Sequence, residues 1–191
     1  GIGKSFVGVT ALQDARLRLW PGEVHALMGQ NGAGKSTLIK VLTGVHPADS
    51  GTMRLAGREI RPESPQAAQA LGIATVYQEV NLCPNLSVAE NILAGRMPRR
   101  WGWIDWRAVR RLALASLEPL QIELDPDRTL GEYPVAVQQM VAIARAVSQD
   151  ARLLILDEPT SSLDEAETER LFTVMRRLKA RGVAILFVTH F

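Results

Sequence analysis

The stretch GQNGAGKST at residues 29–37 directly follows the apolar run VHALM at residues 24–28. Its spacing is G-x-x-x-x-G-K-S, in which the glycines let the backbone curl so that successive N–H groups point into one concavity. A helix that begins near Lys35 would add its positive N-terminal end to that concavity, which therefore suits an anion. The sequence predicts a phosphate-binding loop between a strand and a helix. The alternative interpretation is a glycine-rich turn that merely joins the two elements.

The polar residues of this loop have candidate roles toward a nucleoside triphosphate. Lys35 would supply a full charge for the β- and γ-phosphates, and the Ser36 hydroxyl is placed to ligate Mg²⁺. Nothing in the motif discriminates ATP from GTP. The candidate nucleotide-binding residues of the loop are Gly29, Gln30, Asn31, Gly32, Ala33, Gly34, Lys35, Ser36 and Thr37.

The length and composition indicate one folded domain with a sizeable core. The 191 residues are 47% apolar and 22% charged, and the net charge of +2 does not by itself argue for nucleic acid or anionic lipid. The lone Cys83 excludes an internal disulfide and fits a reducing compartment. No apolar run approaches the roughly 18 residues that predict a membrane-spanning helix.

The regions on either side of the loop differ in pattern. Alternating residues predict extended segments at 7–12 and 15–19 in a half-exposed antiparallel sheet, and Phe6 ahead of them would either stack on a base or pack in the core. The pattern of residues 79–147 is mostly helical and predicts an inserted helical subdomain, whereas 1–78 and 148–191 would form the core and the β subdomain.

The helical region contains aromatic residues interleaved with arginines. Such a set could bind nucleic acid, but a solvated helix face, a surface for a partner protein and simple packing are the alternatives. Its members are Trp101, Trp103, Trp106, Arg96, Arg99, Arg100, Arg107, Arg110 and Arg111.

Polar residues follow three predicted strands of the core. Gln78 follows the strand 72–77, Asp157 and Glu158 follow a buried apolar run, and His190 follows another. Because open α/β sheets present ligand-binding groups at the carboxyl ends of their strands, we expect these residues to meet near the loop. Asp157 would hold Mg²⁺ through water, Glu158 would polarise an attacking water, and His190 would contact the γ-phosphate. A capping role for the acidic pair and a structural role for the histidine are the alternatives.

The order of these parts resembles the nucleotide-binding domain of ATP-binding cassette (ABC) ATPases, over essentially all 191 residues. The resemblance implies an α/β P-loop NTPase fold with a mainly parallel sheet core, an N-terminal antiparallel β subdomain and an inserted helical subdomain. In the family, Phe6 would stack on adenine, Gln78 would sense Mg²⁺ and the γ-phosphate, Glu158 would be the general base, and His190 would hold the γ-phosphate. The expected cofactors are ATP and Mg²⁺. The family's domain continues beyond the histidine, so we expect a cassette truncated at its C-terminus.

Segments 4–12, 102–106 and 138–144 are similar to the bacterial branch that powers monosaccharide import, usually with two cassettes in tandem. This likeness implies an N-terminal cassette, peripheral on the cytoplasmic side of the bacterial inner membrane. Its expected partners are membrane permease subunits, a second cassette and, indirectly, a periplasmic sugar-binding protein, with no nucleic acid. Two alternatives stay open: a soluble ABC-type ATPase that acts on nucleic acid or the ribosome, and a nucleotide-binding regulatory half with weak hydrolysis.

The family's signature sequence departs from its usual form here, at residues 133–137. Pro134 replaces a serine that the family presents to ATP on the opposite cassette, so a hydroxyl and an N–H are lost, although proline suits the first turn of the following helix. We therefore expect an asymmetric dimer. This chain's own loop, Asp157 and Glu158 would stay competent, while the site completed by its signature would be weakened.

Overall fold

The computed structural model describes residues 1–77, 82–148 and 150–190. Its strands are β1 (Ile2–Phe6), β2 (Val9–Ala15), β3 (Val24–Met28), β4 (Met53–Leu55), β5 (Arg58–Ile60), β6 (Ile73–Val76), β7 (Arg99–Arg100), β8 (Trp103–Ile104), β9 (Leu153–Asp157) and β10 (Ala184–Thr189). Its helices are α1 (Lys35–Leu42), α2 (Pro65–Ala70), α3 (Val88–Ile92), α4 (Trp106–Leu117), α5 (Val135–Val147) and α6 (Glu165–Ala180). Two short 3₁₀ helices, Glu118–Leu120 and Leu130–Glu132, lie between α4 and α5.

A parallel four-stranded sheet with the order β3-β10-β9-β6 forms the centre of the molecule. Alternate residues of β9 enter different apolar clusters, because both faces of the sheet are covered. Leu154 and Leu156 pack with α3, α4, α5 and α6, whereas Leu153 and Ile155 pack with α1 and α2. The predicted α/β fold with a parallel core is confirmed.

Three antiparallel hairpins, β1-β2, β4-β5 and β7-β8, complete the strand pairing of the described residues. The predicted strand at 7–12 is wrong at its start, because Val7 and Gly8 form the turn between β1 and β2. The predicted extended segment at 15–19 is also wrong as a strand, since β2 ends at Ala15 and the next residues have no ladder partner within the described part of the chain. Leu17 and Leu19 pack on the α1 face of the sheet, so their alternation reflects burial alone.

The helix boundaries follow from side chains that cap the helix ends. Ser87 forms a capping box with Glu90 at the start of α3, and Asp105 accepts a bond from the Ala108 N–H at the start of α4. Asp164 forms a second capping box with Glu167 at the start of α6. These side chains bond to the first N–H groups of each helix, which have no backbone partner within the helix. The local sequence therefore decides where these helices begin.

Candidate functional site

The phosphate-binding loop connects β3 to α1 as predicted, and its geometry suits an anion. α1 begins after Gly34, which has a left-handed φ of 87°, and no side chain caps the first turn. The N–H groups of that turn therefore stay available to a ligand. The Lys35 Nζ donates to the carbonyl oxygens of Gly29 and, at 3.1 Å, Gln30, which folds its charge over the loop.

Gly34 is also the point where the loop contacts the N-terminal hairpin. A Cβ added at Gly34 would lie 2.7 Å from the Ala11 carbonyl oxygen and 2.9 Å from Leu12 Cδ2. The loop backbone therefore packs directly against β2, which pairs with the strand that ends at Phe6. This contact sets the position of the hairpin relative to the anion site.

The carboxyl ends of three parallel strands meet at the edge of the sheet that carries the loop. Thr189 of β10 lies opposite Met28 of β3, and Val188 lies opposite Asp157 of β9. The Glu158 N–H continues this ladder by donating to the Val188 carbonyl oxygen at 3.0 Å. Glu158 itself has a φ of 49°, an uncommon conformation for a residue with a side chain, and it turns the chain away from the strand direction.

The acidic pair, the histidine and the loop lysine come together at this edge. Glu158 Oε1 and His190 Nδ1 are 2.9 Å apart. Burial, followed by the charge of Glu158, raises the pKa of the Asp157 carboxyl above its ordinary value, and the Lys35 ammonium opposes that shift. Residues that are far apart along the chain therefore act on one another electrostatically.

The other predicted site residues are more exposed or lie outside the described region. Ser36 and most of the loop tip are exposed, while Thr37 is half-buried. Gln78 lies outside the described residues. Phe6 is 43% exposed at the end of β1, so it is not a core residue.

His46 does not follow a predicted strand, so the sequence pattern favours a packing or surface role for it. Its ring meets the Phe6 ring edge to face, with centroids 5.2 Å apart. The Lys4 Nζ lies 5.5 Å from the centroid of the same ring and forms an ion pair with Asp49 at 2.7 Å. Both contacts restrain the ring of Phe6. No local pattern links these residues, because they meet only where β1 crosses the loop after α1.

Pro134 is the N-cap residue of α5 rather than part of its first turn, which corrects the sequence-based expectation. Its φ is −56°, and no side chain caps the helix there. The Gln138 side chain instead folds back and donates to the Tyr133 carbonyl oxygen at 2.9 Å. The free N–H groups at this helix start consequently lack the hydroxyl partner that a serine would supply.

Comparisons with known proteins agree with this geometry. Residues 12–161 match the ABC transporter family. The chain is 52% identical to a putative ribose/galactose/methyl galactoside import ATP-binding protein of Burkholderia cenocepacia and 51% identical to the galactofuranose transporter ATP-binding protein YtfR of Escherichia coli K12. Both alignments cover 100% of this chain and 38% of the relative, so the chain spans little more than a third of their length.

Solved structures resemble the fold over almost the whole chain. The ADP conformation of MJ1267, an ATP-binding cassette of an ABC transporter, superposes with a TM-score of 0.85 at 28% identity, covering 99% of this chain and 78% of that one. A nucleotide-free cassette of an ABC transporter gives 0.86 at the same identity, covering 99% and 79%. Across the part of the chain that the structure describes, no helix has the length and apolarity to cross a bilayer. The sequence match, the sheet order and the loop geometry together show that this chain belongs to the ABC transporter family.

Proposed function

We propose that this chain binds ATP with Mg²⁺ and hydrolyses it, as a cassette that powers bacterial monosaccharide import. One observation carries the proposal: Glu158 and His190 meet at 2.9 Å on the sheet edge that also carries the phosphate-binding loop. A turn that only joined a strand to a helix would not need a carboxylate and an imidazole beside it. The same edge supplies an uncapped helix start and the Lys35 ammonium for the phosphates.

Each of the site residues would have a separate role in hydrolysis. The N–H groups of the loop and Lys35 hold the β- and γ-phosphates and offset their charge. Glu158 accepts a proton from a water molecule as the water oxygen attacks the γ-phosphorus and the bond to the bridging oxygen breaks. The His190 contact would orient the Glu158 carboxylate, and the histidine would also contact a γ-phosphate oxygen.

The oxygen donors present fit a magnesium ion, which favours carboxylate, hydroxyl, water and phosphate ligands. Ser36 would ligate it directly and Asp157 through water. When bound, Mg²⁺ neutralises charge on the β- and γ-phosphates. The Lys35 ammonium lowers the pKa of the Asp157 carboxyl, against the larger effect of burial, and this proximity of a cation supports the placement.

Phe6 would provide the face on which the adenine stacks. Its 43% exposure leaves a ring surface for a base, and the contacts with His46 and Lys4 hold that ring in place. The Gly34 contact with Ala11 then ties the hairpin that carries Phe6 to the phosphate-binding loop.

Sugar import and its partners are proposed from the relatives' names, since the chain spans only part of those proteins. The chain would lie on the cytoplasmic face of the bacterial inner membrane with permease subunits and a second cassette. A cavity of about 210 Å³ between α2, β6 and α5 is a candidate permease contact. Tyr77 and Leu82 line it, and Thr75 Oγ1 is buried without a hydrogen-bond partner among the described residues.

The test separates binding from chemistry. Glu158→Gln should keep the binding of a fluorescent ATP analogue and lose about 10²–10⁴-fold in phosphate release, because only the proton acceptor is removed. His190→Ala should lower phosphate release as well. Glu59→Gln, which removes an exposed carboxylate of β5, is the matched control. Unchanged phosphate release in Glu158→Gln would refute the assignment, and tight binding without any release in the unmodified chain would favour the regulatory alternative.

A further inference from the structure

The hairpin β7-β8 and the first turn of α4 form a surface that the ATPase site does not use. We call it the Trp–Arg surface and define it by Arg99, Arg100, Trp101, Trp103, Trp106 and Arg107. Trp101 is 89% exposed, Trp103 81% and Trp106 56%. Single exposed apolar residues are ordinary, but three indoles on one hairpin and the adjoining helix start indicate a contact surface.

Trp101 stands in an unfavourable backbone conformation at the tip of the hairpin. Its φ is 58° and that of Gly102 is 87°, as in a two-residue turn of type I′. Such turns favour asparagine and glycine, and a bulky side chain at a positive φ is an outlier. The indole makes no packing contact within the described part of the chain that would offset this strain, because it is almost fully exposed. This combination points to a function for the ring outside the fold.

Positive charge is concentrated around the indoles. Residues 99–111 contain five arginines against one aspartate, a local charge of +4, whereas the whole chain carries +2. Arg110 forms an ion pair with Asp127 at 2.9 Å. Arg99, Arg100, Arg107 and Arg111 make no ion pair with any carboxylate of the described residues. Their charges are therefore available to an anionic partner.

The two kinds of side chain share one shallow depression of about 380 Å³. Asp105, the single carboxylate among its described lining residues, already accepts the Ala108 N–H as a helix cap. The lining residues are Arg100, Trp101, Ile104, Asp105, Trp106 and Arg107. Indole rings beside guanidinium groups match the interface of a bilayer, where indoles settle at headgroup depth and cations meet anionic headgroups.

We propose that the Trp–Arg surface binds the anionic surface of a lipid bilayer. The inference rests on the proposed function in one respect, since an importer cassette works beside a membrane. Nucleic acid is the competing anion, but base stacking requires aromatic faces along a groove that follows a backbone. Here Trp101 is at the tip of the hairpin, Trp103 is on β8 and Trp106 begins α4, and Trp103 is not among the residues that line the shallow depression. Insertion of a protruding tip into an interface fits this shape better.

Cosedimentation with vesicles tests the proposal. The chain should bind vesicles of equal parts phosphatidylglycerol and phosphatidylcholine, and high salt should release it, because the attraction is partly electrostatic. Vesicles of phosphatidylcholine alone should bind it much more weakly. Arg100→Gln should lower the partition coefficient about fivefold, the effect of one basic residue near such a surface. Trp101→Asn should lower it about tenfold by removing buried apolar area, while keeping the turn with a favoured Asn-Gly pair.

Trp20 and Arg18 provide a matched control. Trp20 is 61% exposed, and the Arg18 guanidinium lies 5.9 Å from the centroid of its ring, so this is an exposed indole–arginine pair elsewhere. The double variant Arg18→Gln, Trp20→Ala should bind vesicles as the unmodified chain does. An equal loss in this control would overturn the assignment to the Trp–Arg surface.

Two further measurements, oligonucleotide binding and nucleotide binding, decide the outcomes that remain. No binding to the anionic vesicles, or tighter binding of a single-stranded oligonucleotide at the same salt, would overturn the proposal. Binding of the fluorescent ATP analogue is measured on the same samples. Retained nucleotide binding without vesicle binding would refute this inference alone. Vesicle binding without nucleotide binding would support it and refute the proposed ATPase function.

Discussion

Gly34→Ala should destabilise the fold far more than Gly32→Ala, although both glycines have the same kind of backbone conformation. Their φ values are 87° and 85°, so an added side chain costs about 1–2 kcal/mol at either position. At Gly32 nothing lies within 4 Å of the new Cβ. At Gly34 the Cβ would meet the Ala11 carbonyl oxygen at 2.7 Å, and that oxygen is part of a strand backbone. Relief requires β2 to move, which adds about 1–3 kcal/mol of overpacking strain.

The free energy of unfolding should therefore fall by about 2–5 kcal/mol in Gly34→Ala and by about 1–2 kcal/mol in Gly32→Ala. Equilibrium urea unfolding measures both, and the comparison is sound where the m-values agree. The matching loss in Tm is about 2–4 °C per kcal/mol for a chain of this size. Equal destabilisation of the two variants would refute the argument that the loop packs against the N-terminal hairpin.

Three further predictions address other parts of the molecule. Hydrogen bonds from Lys4 and, second, from the Ser5 N–H lower the pKa of the Asp49 carboxyl below its ordinary 3.8. The contact therefore stabilises the fold above pH 3.8, and the stabilisation is lost as pH falls through the lower pKa of the folded state. Asp49→Asn should make the fall of Tm at acid pH less steep, and an unchanged fall would contradict this prediction. Pro134→Ser should raise ATP turnover in the assembled importer by restoring a hydroxyl at the start of α5, and unchanged turnover and transport would exclude the asymmetric dimer. Trp101→Asn should raise stability by about 1 kcal/mol, since asparagine tolerates a positive φ; a lower Tm would show that the indole packs within the fold.

Much of this protein could be predicted from its sequence because the interactions involved are local. The phosphate-binding loop depends on a spacing within a few residues, and the capping box at Ser87 depends on bonds over three residues. The buried run before Asp157 is apolar throughout, as a strand covered on both faces must be. Each signal lies within one turn or one strand, so a single sequence contains all of it.

The wrong predictions came from sequence patterns that more than one structure can produce. The alternation at 15–19 indicates only that one side of this segment is buried. A β-ladder would also require a neighbouring strand. No sequence pattern marks His46 as a site residue, because it does not follow a predicted strand. Its contact with Phe6 depends on how the N-terminal hairpin crosses the chain after α1.

From its residues alone, the chain determined a strand, a phosphate-binding loop and a helix, together with the polar groups that end the buried strands. Tertiary structure alone decided that Glu158 meets His190, that Lys35 acts on Asp157, and that the loop rests on β2. The physical reason is distance along the chain. Backbone bonds and caps act within a few residues, whereas these contacts exist only after parallel strands align in one register and close packing brings their ends together.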